Sequence, residues 1–376
     1  RYYSYNFLGQ PLSVRTSFDS GRNYVHTFSY DHLGRNLSDA LSFDDAPPIN
    51  LMRYGYDDLG RMYAKYRMNG ALVSKWAYNV RSWIDFISGD LLEETIRYNE
   101  ASPGCRSYSG NVGEVTYSFP QTNSSHSYHF GYDGLSRLVE ANSDGKEDYS
   151  TNYVYDKIGN VNYVRRYGLD DDGLHSIIDE MKLRYDGNHL IHASNYVEGP
   201  FYKDAFHFVD GVDETTEYCY DENGNMTKDR NKGIDSIYYN FMNQPMSIRF
   251  KQEEDEVSVS PRRIFYNYDS DGNKLSAIYS GNLRLDYVGD RIYENGRLAK
   301  LLFDGGYCTF DNDTIQCHFY FLDHLGNNCV VSDEKGRLEQ VNCYYPYGGL
   351  MGKCKGDDVQ RYKYNGKELD RMHGLN

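Results

Sequence analysis

The chain has 376 residues, a formal net charge of −15 and 39 tyrosines against 17 phenylalanines and 2 tryptophans. That charge argues against a nucleic-acid groove or an anionic membrane surface, because phosphate affinity needs clustered Lys and Arg. No apolar run approaches the roughly 20 residues of a membrane-spanning helix.

In chain order, one short pattern recurs. It starts as Tyr5-Asn6-Phe7-Leu8-Gly9-Gln10, then appears as Tyr30-Asp31-His32-Leu33-Gly34-Arg35 and Tyr56-Asp57-Asp58-Leu59-Gly60-Arg61. Later copies are Tyr132-Asp133-Gly134-Leu135-Ser136-Arg137, Tyr155-Asp156-Lys157-Ile158-Gly159-Asn160, Tyr220-Asp221-Glu222-Asn223-Gly224-Asn225 and Tyr268-Asp269-Ser270-Asp271-Gly272-Asn273. Degenerate copies begin at Tyr78, Tyr185, Tyr239 and Tyr364, and a variant with Phe first runs Phe321-Leu322-Asp323-His324-Leu325-Gly326-Asn327. Most neighbours lie about 19 to 35 residues apart, a period that signals a repeat architecture. The step from Tyr78 to Tyr132 is about twice the usual one.

Each copy reads as strand, turn, strand. The aromatic residue closes a β-prone run. Asp accepts a hydrogen bond from its own backbone two residues on. Gly three places after Asp supplies the positive φ that ends a type I turn with a bulge. Arg or Asn then opens the return strand. Second turns fit between the copies at Asn69-Gly70, Asp144-Gly145, Asn295-Gly296 and Asp304-Gly305. Period two places Met62, Ala64, Tyr66 and Met68 on one face and Tyr63, Lys65 and Arg67 on the other. The result is an all-β chain of more than twenty short strands. Helical signals are confined to Asp90–Tyr98 and Gly366–His373. The tyrosine excess fits half-exposed strand faces, and it also fits aromatic ladders running across neighbouring repeats with each hydroxyl reaching solvent or a turn.

No motif for chemistry survives inspection. Asp269-Ser270-Asp271-Gly272-Asn273 starts like an EF-hand loop, but Lys274 stands where Gly is needed and Ser280 where a bidentate Glu is needed. Asp221 to Asn225 fails likewise, with Met226 and Lys232. Asp170-Asp171-Asp172-Gly173 reads as a solvated loop, and Glu253-Glu254-Asp255-Glu256 as a charged interruption of the repeats. Seven cysteines, five of them late (Cys308, Cys317, Cys329, Cys343 and Cys354), include no C-x-x-C, so neither a zinc site nor a disulfide pairing can be read from spacing. H-E-x-x-H, G-x-S-x-G, P-loop and Rossmann patterns are absent. The expectation is therefore no catalytic, cofactor-binding or metal residue. The residues singled out are turn residues: Tyr30, Asp31, Gly34, Arg35, Tyr56, Asp57, Gly60, Arg61, Tyr132, Asp133, Arg137, Tyr155, Asp156, Gly159, Tyr220, Asp221, Gly224, Tyr268, Asp269, Gly272, Asp323 and Gly326.

From Phe319 the pattern changes to "FYFLDHLGNNCVVSDEKGRLEQVNCYYPYGGLMGK" and then "RYKYNGKELDRMHGLN". The segment Tyr344-Tyr345-Pro346-Tyr347-Gly348-Gly349 should break strand pairing, since Pro cannot donate to a ladder. A distinct terminal unit over 319–376, after a repeat region over 1–318, is the expected organisation.

The Tyr-Asp copies resemble the YD repeats of bacterial Rhs proteins, and the block from Tyr320 to Leu375 looks like the Rhs repeat-associated core domain. The resemblance implies a long β-sheet wound into a spiral, part of a hollow shell that in polymorphic toxins encloses a variable C-terminal toxin domain. It implies as partners that toxin domain, secretion machinery and a cognate immunity protein, and a secreted or cell-surface parent. Related YD shells in animal teneurins serve adhesion, so a module that binds surface glycan or protein is the alternative. A carbohydrate-active enzyme is a further rival, without an identifiable acid pair. Self-cleavage in many Rhs proteins depends on Asp in a D-P-x-G-like segment after the core. No Asp-Pro dipeptide occurs here, so no catalytic residue carries over. With Arg1 first and Tyr5 already inside a repeat, the chain reads as an internal fragment.

Overall fold

The computed structural model describes the whole chain except residues 18–22, 45, 103, 145–146, 203–205, 252–261, 312–313, 353–355, 357–359 and 370–376. Gly145 of one expected turn, the acidic run at 253–256 and Cys354 lie outside the described residues.

The all-β reading holds. The described residues contain no α-helix, only strands and two short 3-10 turns. Sixteen strands, from Tyr2–Tyr5 to His189–Asn195, form one sheet, and thirteen, from Tyr218–Tyr220 to Leu338–Val341, form a second. Within each sheet every strand pairs with the next one in the chain, so each sheet is an unbroken antiparallel meander. Asp90–Tyr98 is not helical. Glu93–Arg97 is a strand between Ile84–Ser88 and Glu114–Phe119, where Glu94 and Ile96 are buried by period two. At the other expected helix, Tyr364–Gly366 is a 3-10 turn, Lys367–Leu369 is not helical and the remainder lies outside the described residues.

The repeat turn explains the meander. Tyr56 pairs with Met62 and Gly55 with Ala64, so five residues form the loop and Tyr63 is bulged. The same shift recurs at Tyr30, Tyr132, Tyr155, Tyr220 and Tyr268. The bulge overturns the simple alternation expected for Met62–Met68. Met62 shares a face with Lys65 and Arg67, because all three lie opposite residues on one side of the partner strand, Tyr56, Tyr54 and Met52. That face is covered, not solvated: Lys65 and Arg67 are buried, and Lys65 Nζ reaches Asp304 of the second sheet at 3.2 Å. Asn69-Gly70 closes a three-residue turn, Met68–Gly70, between Arg67 and Ala71, whereas Asn295-Gly296 is the expected two-residue turn with φ of 49° and 80°.

The sheets face each other through one core. Tyr24, Leu41, Leu51, Met52 and Leu91 of the first pack with Leu301, Cys308, Phe319 and Phe321 of the second. A second cluster of the first sheet, including Ile96, Val115, Tyr128 and Ile178, is covered by Tyr345 and Met351 of the terminal segment. Full burial of one large apolar side chain contributes about 1.5–3 kcal/mol, more than one hydrogen bond. Packing therefore holds the layers together, and the polar contacts set register. At the sheet junction the backbone N–H of Glu217 donates to Ile191 O at 2.8 Å, and the buried Glu217 carboxylate accepts the N–H of Ala193 at 2.9 Å. No helix among the described residues is long and apolar enough to cross a membrane.

Candidate functional site: the repeat ladder and the buried terminal cluster

Each predicted turn residue has a definite task. In the Asp31 turn, Oδ1 accepts the N–H groups of Leu33 and Arg35, both at 2.9 Å, and Oδ2 accepts Arg35 Nε at 2.6 Å. Asp57, Asp133, Asp156, Asp221, Asp269 and Asp323 repeat this arrangement, with Arg or Asn as the fifth residue after the aromatic position. The Asp269 carboxylate is thus occupied by its own loop, as the failed EF-hand match suggested. Donation from Asn225 and Asn273 holds the Asp221 and Asp269 carboxyls below the ordinary range. Gly34, Gly60, Gly159, Gly224, Gly272 and Gly326 all take positive φ, between 79° and 100°. In the Asp133 turn this place belongs to Ser136, at φ 61°, and not to Gly134.

The tyrosines link one repeat to the next. The Tyr30 hydroxyl donates to Pro11 O, Tyr56 to Asn36 O, Tyr78 to Met62 O, Tyr155 to Leu138 O, Tyr185 to Val161 O, Tyr220 to Leu190 O, Tyr239 to Met226 O and Tyr268 to Pro245 O. Each acceptor is the first or second residue of the return strand of the preceding hairpin. Arg35, Arg61 and Arg137 lie 4.7, 4.4 and 4.7 Å over the rings of Tyr56, Tyr78 and Tyr155, and His189 stacks on Tyr220 at 4.5 Å. At these four links the ring meets a cation or imidazole rather than another tyrosine, while the hydroxyl bond to the preceding hairpin is common to all eight. It also passes through Tyr98, whose hydroxyl donates to Ile84 O, so the double step from Tyr78 to Tyr132 hides one copy. Its loop runs from Tyr98 to Gly113 between Arg97 and Glu114, too long for the pattern to be seen.

The terminal block continues the same geometry with other residues. Leu322, not Phe321, holds the aromatic place, and it pairs with Asn328. Tyr345 holds the Asp place: its N–H donates to Gly349 O and its carbonyl accepts from Gly348, while Tyr344 bridges Leu350. Pro346 lies inside that turn, where no ladder N–H is needed. The last copy begins at Tyr362 rather than Tyr364, with Lys363 in the Asp place. Asp170–Gly173 is solvated as expected, with Asp171 and Asp172 exposed, and it is an ordered turn of this kind after Leu169. The second sheet crosses position 318/319 within the strand Thr314–Leu322.

A buried polar cluster, unseen in the sequence, anchors this block. Glu94 of the first sheet is fully buried and accepts the N–H and Nδ1 of His324 at 2.8 and 2.5 Å. Burial, then the nearby Glu94 charge, pushes the neighbouring Asp323 carboxyl up to about 6. Burial opposes the charge on His324, but Glu94 outweighs it and raises that imidazole. Alongside, the buried Gln340 donates to Asn342 Oδ1 at 2.9 Å and accepts the N–H of Gln360 at 2.9 Å, and Lys363 Nζ donates to Asn342 Oδ1 at 2.8 Å. The adjoining cavity, lined by Tyr117, His126, Cys329, Asn342 and Tyr344 among others, holds about 20 Å³, room for about one water. Among the described residues no group of three or more His, Cys, Asp or Glu side chains is placed to hold a metal ion.

No family model and no curated protein matches the sequence. Solved structures match the fold. TcdB2-TccC3 without its hypervariable C-terminal region aligns with a TM-score of 0.69 at 14% identity, over 99% of this chain and 19% of that one. TcdB2-TccC3 aligns at 0.63 and 14% over 98% and 22%, and TcdB2-TccC3-Cdc42 at 0.63 and 13% over 98% and 21%. The chain shares the fold of part of TcdB2-TccC3. It spans about a fifth of those chains' length.

Proposed function

We propose that this chain is a wall segment of a YD-repeat shell, of the Rhs type, that encloses or displays a toxin domain and is not itself catalytic. One observation carries the reading: the predicted site residues are consumed in joining each hairpin to the next. Their carboxylates, hydroxyls and guanidiniums face their own turns and the neighbouring repeat. The fold likeness to part of TcdB2-TccC3, one structure of which lacks a hypervariable C-terminal region, supports a shell that precedes a variable domain. The partners of this reading are a toxin domain of the parent chain, secretion machinery and an immunity protein. The test is expression of residues 1–376 in a sensitive host, alone and with the native downstream segment. Growth should be unimpaired by the first. The second should kill only when the downstream segment is released or its immunity protein is missing. Killing by residues 1–376 alone overturns the reading.

One groove favours the second reading, adhesion through surface glycan. The strands Met226–Asp229 and Ile234–Tyr239 pair only at Asp229 and Ile234, and they diverge around an open groove of about 360 Å³. Its lining includes the exposed ring of Tyr238, an aromatic face suited to a sugar, beside Asn223, Asn240 and Asn243, whose amides already bond within the turns. Binding on a glycan array that Tyr238→Ala abolishes would favour this role, and no binding to any glycan removes it.

A further inference from the structure

We propose that Cys308 and Cys317 are a modification site: a cross-strand disulfide that staples the hairpin Gly306–Asp311 to Thr314–Leu322. The register sets the two cysteines directly opposite each other. The N–H of Cys317 donates to Glu334 Oε1 at 2.9 Å, on the side away from Cys308. The pair is therefore of the non-hydrogen-bonded kind, in which Cα atoms lie about 4.5 Å apart and side chains approach most closely. That separation lies within the range a disulfide spans. Both thiols are free in this structure, their sulfurs are in contact at 2.8 Å, and both residues are buried. Cys329 and Cys343 belong to the same apolar layer, but neither faces Cys308 or Cys317 in the ladder.

The chemistry needs an oxidant, and a low-molecular-weight disulfide, RSSR, suffices. The Cys317 thiolate attacks one sulfur of RSSR, forming a mixed disulfide and expelling RS⁻. The Cys308 thiolate then attacks the protein sulfur, forming the Cys308–Cys317 bond and expelling the second RS⁻. Each RS⁻ takes up the proton that one cysteine gave up. The protein loses two hydrogens and two electrons, and RSSR becomes two RSH. Timing follows from position. The hydrogen bond to Cys317, then burial, pushes the Cys308 thiol up in the closed structure, so the finished layer reacts slowly. The hairpin is local in sequence, however, so its strands can pair before the first sheet covers them. The staple then fixes the strand that carries Phe319 and Phe321 into the core between the sheets.

The test folds the full chain in a mixture of oxidised and reduced glutathione, alkylates free thiols, digests without reductant and maps the peptides by mass spectrometry. The expected map has one linked peptide joining Cys308 to Cys317, with the other five of the seven cysteines alkylated. Cys308→Ser should abolish the link and leave Cys317 alkylated. If that variant does not fold, the wild-type map still decides. Alkylation of both Cys308 and Cys317 in the oxidised wild type overturns the proposal, as does a link from either to Cys329, Cys343 or Cys354.

Discussion

Glu94 accepts two hydrogen bonds from His324 across 230 positions of sequence, and both oxygens of its carboxylate are used. This contact ties the first sheet to the turn that opens the terminal block. Removing one member of a buried charge pair is strongly destabilising, because the other is left uncompensated.

The junction should be tightest in mild acid. His324 has a raised folded pKa, so its stabilisation is complete below 6.5, the unfolded value, and is lost as pH rises through the folded one. Asp323 has a folded value of about 6 against 3.8 unfolded. Its charge therefore penalises the fold increasingly between these values and fully above them. Both slopes favour lower pH. Amide exchange at His324, Leu325 and Asn327, corrected for intrinsic rates, should be slower at pH 5 than at pH 8. Asp323→Asn should reduce the difference while keeping the turn, because Asn6, Asn79 and Asn240 already hold that place elsewhere. Equal protection at both pH values would count against the junction.

Backbone strain predicts two opposite substitutions. Gly60 sits at φ 83°, with Arg35 Nη1 3.3 Å from where a Cβ would lie. Gly60→Val should cost at least about 1–2 kcal/mol in urea unfolding, since a β-branched residue is poorly tolerated there. Ser136 holds the same place at φ 61°. Ser136→Gly should be neutral to stabilising by up to about 1 kcal/mol, with relief of strain opposed by unfolded-chain entropy.

The ladder predicts a modest, repeated effect. Tyr56→Phe, Tyr78→Phe and Tyr155→Phe each keep the ring beneath an Arg and remove one hydroxyl donor to a carbonyl. Each should cost about 0.5–1.5 kcal/mol. A double-mutant cycle of Arg61→Ala with Tyr78→Ala should show a coupling of about 0.5–1 kcal/mol from the cation over the ring. A coupling near zero would mean that the stacking contributes nothing measurable.

The repeat turns were legible because a turn is local. Asp, Gly and the fifth residue interact within six positions, so Asp31, Gly34 and Arg35 carry their geometry in their own order. The bulge at Tyr63 was less legible: the one-residue shift appears only when both strands are paired, and it reversed the faces of Lys65 and Arg67. Tyr345 and Lys363 replace Asp, which concealed two further turns in the terminal block. Glu94 had no local signal, because its partner His324 lies in the other sheet. Gln340 and Asn342 alternate as an inward face would, but their polarity hid their burial.

The Asp156 turn offers the sharpest test of what its carboxylate does. Oδ1 accepts the N–H groups of Ile158 and Asn160, and Oδ2 accepts Asn160 Nδ2, all at 2.9 Å. Burial works against the charge, but donation from Asn160 and its neighbours outweighs it and holds the carboxyl below 3.8. A depressed carboxyl contributes stability above its unfolded pKa and loses it as pH falls through the folded one. The wild type should therefore weaken below about pH 4, opposite in sign to the His324 junction. Asp156→Asn keeps an oxygen for the two backbone N–H groups, so near pH 6 it should lower the urea midpoint less than Asp156→Ala, which leaves both without their acceptor. Below pH 4 the gap between Asp156→Asn and wild type should narrow, because the wild-type group becomes neutral too. Urea midpoints from pH 2.5 to 7 for the three proteins check this. If Asp156→Ala matches wild type near pH 6, the carboxylate does not hold the turn, and the account of the repeat motif fails with it.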